Sequence, residues 1–231
     1  MNQIKFNTKS FIMSIISIFL RDLKIQFRNI SYIMSILTFF VIVTLIFIFA
    51  IGPEKDQLRI NAIPIMWTIL ILSSCITVNK LLKEDFDDGN FNIYQFTGLS
   101  FEIIAISKII TSWILFQLPI IILIPLISIL LNLDFEKIIP LITTIAIGSP
   151  ILTTLTLISS SMLLTNNKNL TLGSLIIVPM SIPVIIFSVG AINSDSDLFV
   201  PQLQILLSLF FASIATAPWI IAACIKIALR S

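Results

Sequence analysis

KLLKEDFDDGNFNIYQFTGLSFEIIAISK, residues 80–108, is the one long polar interruption in an otherwise apolar chain, and its flanks decide the fold. Upstream, 31–51 reads SYIMSILTFFVIVTLIFIFAI, about 21 residues without a charge and ~32 Å long as a helix, enough to cross a bilayer. A second apolar run covers 60–79, with Pro64 expected in its first turns, where the missing N–H costs least. Downstream, IITSWILFQLPIIILIPLISILL fills 109–131, and its Pro119 and Pro125 predict kinks rather than breaks. Further runs follow at 138–164, 170–192 and 202–229, the fifth interrupted by Pro179 and Pro183 and the sixth carrying Pro218.

Composition agrees with this reading. Mean hydropathy is +1.08, 57% of residues are hydrophobic and only 11% are charged, whereas soluble domains carry roughly 25% charged residues. A chain of 231 residues with spans of ~20 residues each has room for six helices and short loops, and none for a large soluble domain. The expected fold is an all-α integral membrane protein whose six transmembrane helices occupy 31–229.

Residues 1–30 form a separate N-terminal element. The apolar part from Phe11 to Leu20 is too short to span and runs directly into Arg21, Lys24 and Arg28 rather than into a small-residue cleavage site. It reads as an amphipathic helix at the membrane interface, with Phe19, Leu23 and Phe27 along one face.

Orientation follows from the fourteen Lys and Arg residues. With a cytoplasmic N-terminus, eleven fall on the cytoplasmic side, and Lys55, Arg59 and Lys137 fall on the other. This positive-inside bias places both termini and the 80–108 segment in the cytoplasm.

The chemistry that the chain lacks narrows its function. There is no histidine, the commonest haem, zinc or general-base side chain, and Cys75 and Cys224 sit singly in apolar runs as small hydrophobes. No phosphate-binding G-x-x-x-x-G-K-[ST] loop, HExxH or GxSxG occurs. The acidic run Glu84-Asp85-Phe86-Asp87-Asp88-Gly89 fails the calcium-loop pattern, because Gly89 falls at its third acidic position counted from Asp85. The span interiors exclude charge, which argues against proton relays or an ion-coupled pump. The fourth span is the most polar, with Thr153 and Thr154 among its hydroxyls; such residues permit close helix packing or can line a path.

A transport-type domain without an energy source needs a partner ATPase, and the 80–108 segment has the composition of its handle. Leu81, Leu82, Asp85 and Phe86 begin a helix leaving the membrane, Asp88-Gly89 forms a turn or C-cap, and Phe91, Ile93, Tyr94 and Phe96 make a short amphipathic element. Five acids against three bases disfavour a resting place on anionic lipid. Glu84, Asp85, Phe86, Asp88, Gly89, Phe96 and Leu99 are the candidate coupling residues, with Thr153, Thr154, Pro179 and Pro183 as pathway or packing residues.

These pieces resemble the CcmB family, the membrane subunit of the ABC-type haem exporter complex of cytochrome c maturation. The most specific match is LIIVPMSIPVIIFSVGA, 175–191, with Pro179, Pro183, Ile186-Phe187 and Ala191; Ser188 stands where the family has Gly. Arg21-Asp22-Leu23, Gly52-Pro53, Trp67, Phe86 with Asp88-Gly89, Lys108, Leu118-Pro119 with Pro125, Gly148-Ser149-Pro150 and Ala217-Pro218 follow the family order. Gln95 to Ser100 departs from it, lacking the family's prolines.

The resemblance implies an ABC-2-type exporter membrane domain with a cytoplasmic coupling helix between spans two and three. It also implies a CcmA-type cassette ATPase that binds ATP, CcmC-type and CcmD-type membrane proteins, and a CcmE-type haem chaperone whose release ATP hydrolysis serves. A homodimer in a bacterial inner membrane is the expected assembly, with a mitochondrial inner membrane as the other setting. The residues alone leave two alternatives open: an ABC-2 permease for a lipid-like or drug-like solute, and a scaffold with no ATPase.

Overall fold

The computed structural model describes residues 16–24, 30–52, 54–77, 82–96, 98–164, 170–193 and 196–230. Among the described residues there is no strand, and six helical segments are long and apolar enough to cross a membrane. The N-terminal helix α1 covers 16–24. The first two spans are α2, Ile30–Ile51, and α3, Lys55–Thr77, followed by two short helices, α4, Lys83–Asp87, and α5, Asn90–Phe96. The third span is composite: α6, Phe101–Ser112, a π-helical turn at Trp113–Gln117, and α7, Leu118–Leu130. The last three are α8, Phe135–Met162, α9, Leu170–Asn193, and α10, Ser196–Ala228.

Polarity decides which helix lies inside. In α2 only Ile33, Ile36, Phe40 and Thr44 are buried, a single helical stripe, and its other apolar residues are half-buried beside that stripe or exposed. The hydroxyl-rich α8 is the opposite case and packs against α3, α6, α7, α9 and α10. Small and hydroxyl residues let backbones approach closely, and lipid gives hydroxyls no partner. Gly148 marks one such approach, since a Cβ built there would lie 2.4 Å from Cη2 of the fully buried Trp67 on α3.

Several expectations change at the helix ends. The second span begins at Lys55 rather than 60, so Pro64 sits inside α3 and not in its first turns. The third begins at Phe101, which makes the last eight residues of the 80–108 segment the first turns of a span. Pro179 and Pro183 do not break α9, which is continuous, and both lie exposed on its outer face. Four residues apart, they confine their missing bonds to one side of the helix, where the bundle needs none of them.

The π-helical turn has a local cause. Pro119 offers no N–H to the preceding turn, and the ladder slips so that Leu118 N–H reaches the carbonyl of Trp113, five residues back. Side chains from two neighbours hold the slip: Trp113 Nε1 donates to Ser149 Oγ on α8 at 2.9 Å, and Gln117 Nε2 donates to Ser74 Oγ on α3 at 2.9 Å.

Candidate functional site

At one end of the bundle, α1, α4, α5 and the first turns of α6 come together around Lys108. Its side chain is 7% exposed, and its ammonium lies 2.8 Å from Asp22 Oδ2 of α1. It also pairs with Asp85 Oδ2 of α4. Asn90, the first residue of α5, donates from Nδ2 to Asp85 Oδ1 at 2.9 Å, so one cation ties together three elements distant in sequence. A second link runs from Arg21, whose guanidinium donates to the Tyr94 hydroxyl of α5 and lies 5.5 Å from the ring centroid.

Two carboxylates share one ammonium in a place closed to water. Burial pushes the Asp22 carboxyl above its ordinary value and the nearby Asp85 charge adds to this, while Lys108 acts in the opposite sense. Burial likewise raises the Tyr94 phenol, with Asp22 contributing. Between α1 and α5 lies an open cavity of about 490 Å³, lined by Ile18, Arg21, Tyr94 and Leu99 among others.

Chain geometry sets the two short helices on this platform. Gly89 adopts φ +71° between them, a conformation that favours glycine, and its N–H closes on the Phe86 carbonyl at 3.1 Å. Gly98, at φ +73°, lies just beyond α5, its N–H reaching the Gln95 carbonyl at 3.2 Å. Ser100 is the extended residue ahead of α6, its carbonyl accepting from Ile103 N–H at 3.1 Å.

The apolar side of α5 divides into two stripes. Phe91 and Tyr94 are buried, and Phe91 meets Phe101 edge to face at 6.5 Å between centroids. Ile93 and Phe96 point outward, Phe96 at 92% exposure. Of the candidate coupling residues, Glu84 and Asp88 are exposed, Phe86 and Leu99 pack partly into the core, and Asp85 turns inward to Lys108. Glu84, Asp87 and Asp88 in and just after α4, and Ile93 and Phe96 on α5, are each exposed.

The other candidates lie elsewhere. Thr153 and Thr154 are buried in α8, and their hydroxyls donate to carbonyls of their own helix, Ser149 at 3.0 Å and Ile151 at 2.7 Å. Pro179 and Pro183 face away from both the platform and the α8 interior. Residues 1–15, 25–29, 78–81, 97 and 165–169 fall outside the described residues, Phe27 and Leu81 among them. In α1 the inward face is Ile18 and Asp22, with Phe19 and Leu23 only half-buried beside them, so the expected stripe is rotated toward a carboxylate. From the sequence, Lys108 reads as a positive-side charge and, like Arg21-Asp22-Leu23, as a piece of the family order, and Tyr94 reads as part of the amphipathic element; nothing there brings Lys108, Asp22 and Tyr94 together. The available signal was the isolation of Lys108, after which no charge occurs until Asp134.

Comparison with known proteins accounts for nearly the whole chain. A heme exporter protein B of Haemophilus influenzae is 31% identical over 220 residues, which cover 94% of this chain and 99% of that protein. One from Bradyrhizobium diazoefficiens is 28% identical, with 89% and 94% covered, and one from Escherichia coli is 29% identical, with 92% and 98% covered. Residues 13–228, from ahead of α1 to the last turn of α10 and so including every side chain gathered at Lys108, match the family described as CcmB protein, and the chain belongs to it.

Proposed function

We propose that this chain is the membrane subunit of an ATP-driven haem exporter that serves cytochrome c biogenesis. It performs no catalysis itself. A CcmA-type cassette ATPase docks on α4 and α5 and hydrolyses ATP, and the spans pass the resulting movement to CcmC-type and CcmD-type companions and to release of a CcmE-type haem chaperone. Two copies of the chain pair with two cassettes in a bacterial inner membrane. Haem is cargo of the complex, and no residue of this chain is assigned to hold it.

One observation carries the docking part of this reading: Phe96 stands almost fully exposed on a short helix whose other apolar stripe is anchored in the core. A large exposed aromatic one turn from the exposed Ile93 has the form of an anchor for a groove on a soluble partner. Replacing it with aspartate introduces a charge where the partner closes over an apolar side chain. Phe96→Asp is expected to weaken co-purification of the ATPase by about thirtyfold, a cost of ~2 kcal/mol typical of an interface anchor, with membrane insertion intact. Undiminished recovery of the ATPase with this variant would rule the docking site out.

A second reading has one observation in its favour. A cavity of about 350 Å³ between α6, α8 and α10 is lined by Ile109, Trp113, Ile147, Pro150, Phe210 and Ile214, a suitable lining for a lipid-like solute. Stimulation of ATPase activity by such a solute, with no haem chaperone present, would favour a permease of that class.

A further inference from the structure

We infer that Lys108 is a positioning residue for coupling: it makes α1, α4–α5 and the first half of the third span a single rigid body that pivots at the π-helical turn Trp113–Gln117. The inference rests on the proposed docking of an ATPase at α4–α5.

Three observations carry it. First, a short surface hairpin moves its neighbours only if it is fixed to them. Here the fixing is the Lys108 ammonium of α6, held between Asp85 of α4 and Asp22 of α1. Withdrawing that ammonium leaves two buried carboxylates without a cation, which makes separation of the three elements costly. Arg21 on Tyr94 closes the same body from the other side.

Second, Lys108 lies five residues before Trp113, so a displacement of α4 reaches α6 a little over one turn from the point where the regular ladder ends. Helices bend sharply at π-bulges and prolines, and this span has both within seven residues, Trp113 to Pro119.

Third, the far side of the pivot is held by contacts that can exchange. Gln117 spends its amide nitrogen on Ser74, while its Oε1 is buried with no hydrogen-bond partner among the described residues. Thr111, six residues earlier on α6, also has a buried hydroxyl without one. Unsatisfied groups on both sides of a slipped turn lower the cost of a second arrangement that pairs them, because the present one already leaves them bare. α7 beyond the pivot is joined to α2 and α8 and makes none of the platform's ion pairs.

The test uses the full chain with its partner ATPase in nanodiscs. Spin labels are placed at Asn92→Cys on α5 and Leu126→Cys on α7, in a background with Cys75 and Cys224 changed to serine. The wild-type pair is expected to change its separation when ATP is bound, and Lys108→Arg to retain that change. Lys108→Gln leaves two carboxylates unneutralised and is open to misfolding. The double variant Lys108→Met with Asp22→Asn removes the cation and one acid together, while Asp85 keeps Asn90. In that double variant the ATPase is expected to co-purify as before, the ATP-dependent separation change to vanish, and stimulation of ATPase turnover by the membrane subunit to fall by about tenfold or more.

A double variant that keeps the wild-type separation change and turnover overturns the inference, as does a wild-type separation that does not respond to ATP. Loss of ATPase binding through Phe96→Asp, together with a fully coupled double variant, leaves the docking reading standing and removes the pivot alone. An ATPase that never binds removes the docking reading first.

Discussion

At the scale of single residues, one close contact in the bundle has little room to yield. Gly148 packs on Trp67, and a Cβ there would come within 2.4 Å of Cη2 and 3.2 Å of Val184 Cγ1. Trp67 is fully buried and cannot swing aside. Gly148→Ala is therefore expected to destabilise the protein by ~1–3 kcal/mol, the usual cost of overpacking, read as a lower thermal unfolding midpoint in detergent. Trp67 Nε1 has no hydrogen-bond partner among the described residues, so Trp67→Phe loses no bond while clearing the space. In combination it should return part of the loss, a non-additivity expected of residues in contact. Additive losses would show that the two do not press on one another. The sequence marks Gly148 and Trp67 separately, within Gly148-Ser149-Pro150 and alone in span two. Their contact was not legible, because it depends on how α8 is rotated against α3.

At the scale of elements, apolar length alone was enough to count six spans, because lipid imposes one requirement on every residue that faces it. The platform was legible only in outline. The turn at Gly89 could be read from Asp88-Gly89, whereas the division of α5 into an inward stripe, Phe91 and Tyr94, and an outward one, Ile93 and Phe96, could not, since all four are apolar aromatics or aliphatics. Nor could the inward turn of Asp85. An acid among acids looks solvent-facing until a cation from another helix is found beneath it.

The same cluster makes the hold on α1 depend on pH. The Asp22 carboxyl is raised above its ordinary value of 3.8 in the packed state, chiefly by burial. The packed helix therefore binds a proton more readily than the released one, and the contribution is greatest below the released value and is lost as pH rises through the packed value. A spin label at Leu20, exposed on α1, should accordingly become less mobile as pH falls from neutral toward 4. Asp22→Asn, which holds the side chain neutral at every pH, should keep the label immobile throughout and flatten the profile. A label that loosens on acidification would give Asp22 the opposite sign.

At the scale of the whole molecule, charge sorts the two ends of the bundle. The end with α1, α4 and α5 carries the buried cluster and the pair Lys226 to Glu102, 2.7 Å, which joins the last turn of α10 to α6. At the opposite end Arg59 meets Asp134 at 3.3 Å, both half-exposed. Counted along the sequence through six spans, eleven of the fourteen Lys and Arg residues fall to the platform side. Each such residue resists transfer across the membrane, and the short loops here fall within the range over which that resistance sets topology. The platform is thus expected in the cytoplasm, the only side on which a soluble ATPase finds ATP. A fluorescent protein that matures only in the cytoplasm, fused after Ser231, should fluoresce, whereas a cysteine at Glu136, in the first turn of α8, should react with a membrane-impermeant maleimide in intact cells. A cysteine at Asn92 should react only after the membrane is opened. Labelling of Asn92 but not Glu136 in intact cells would invert the molecule, put α5 out of reach of any ATPase, and remove the basis for reading it as a coupling helix.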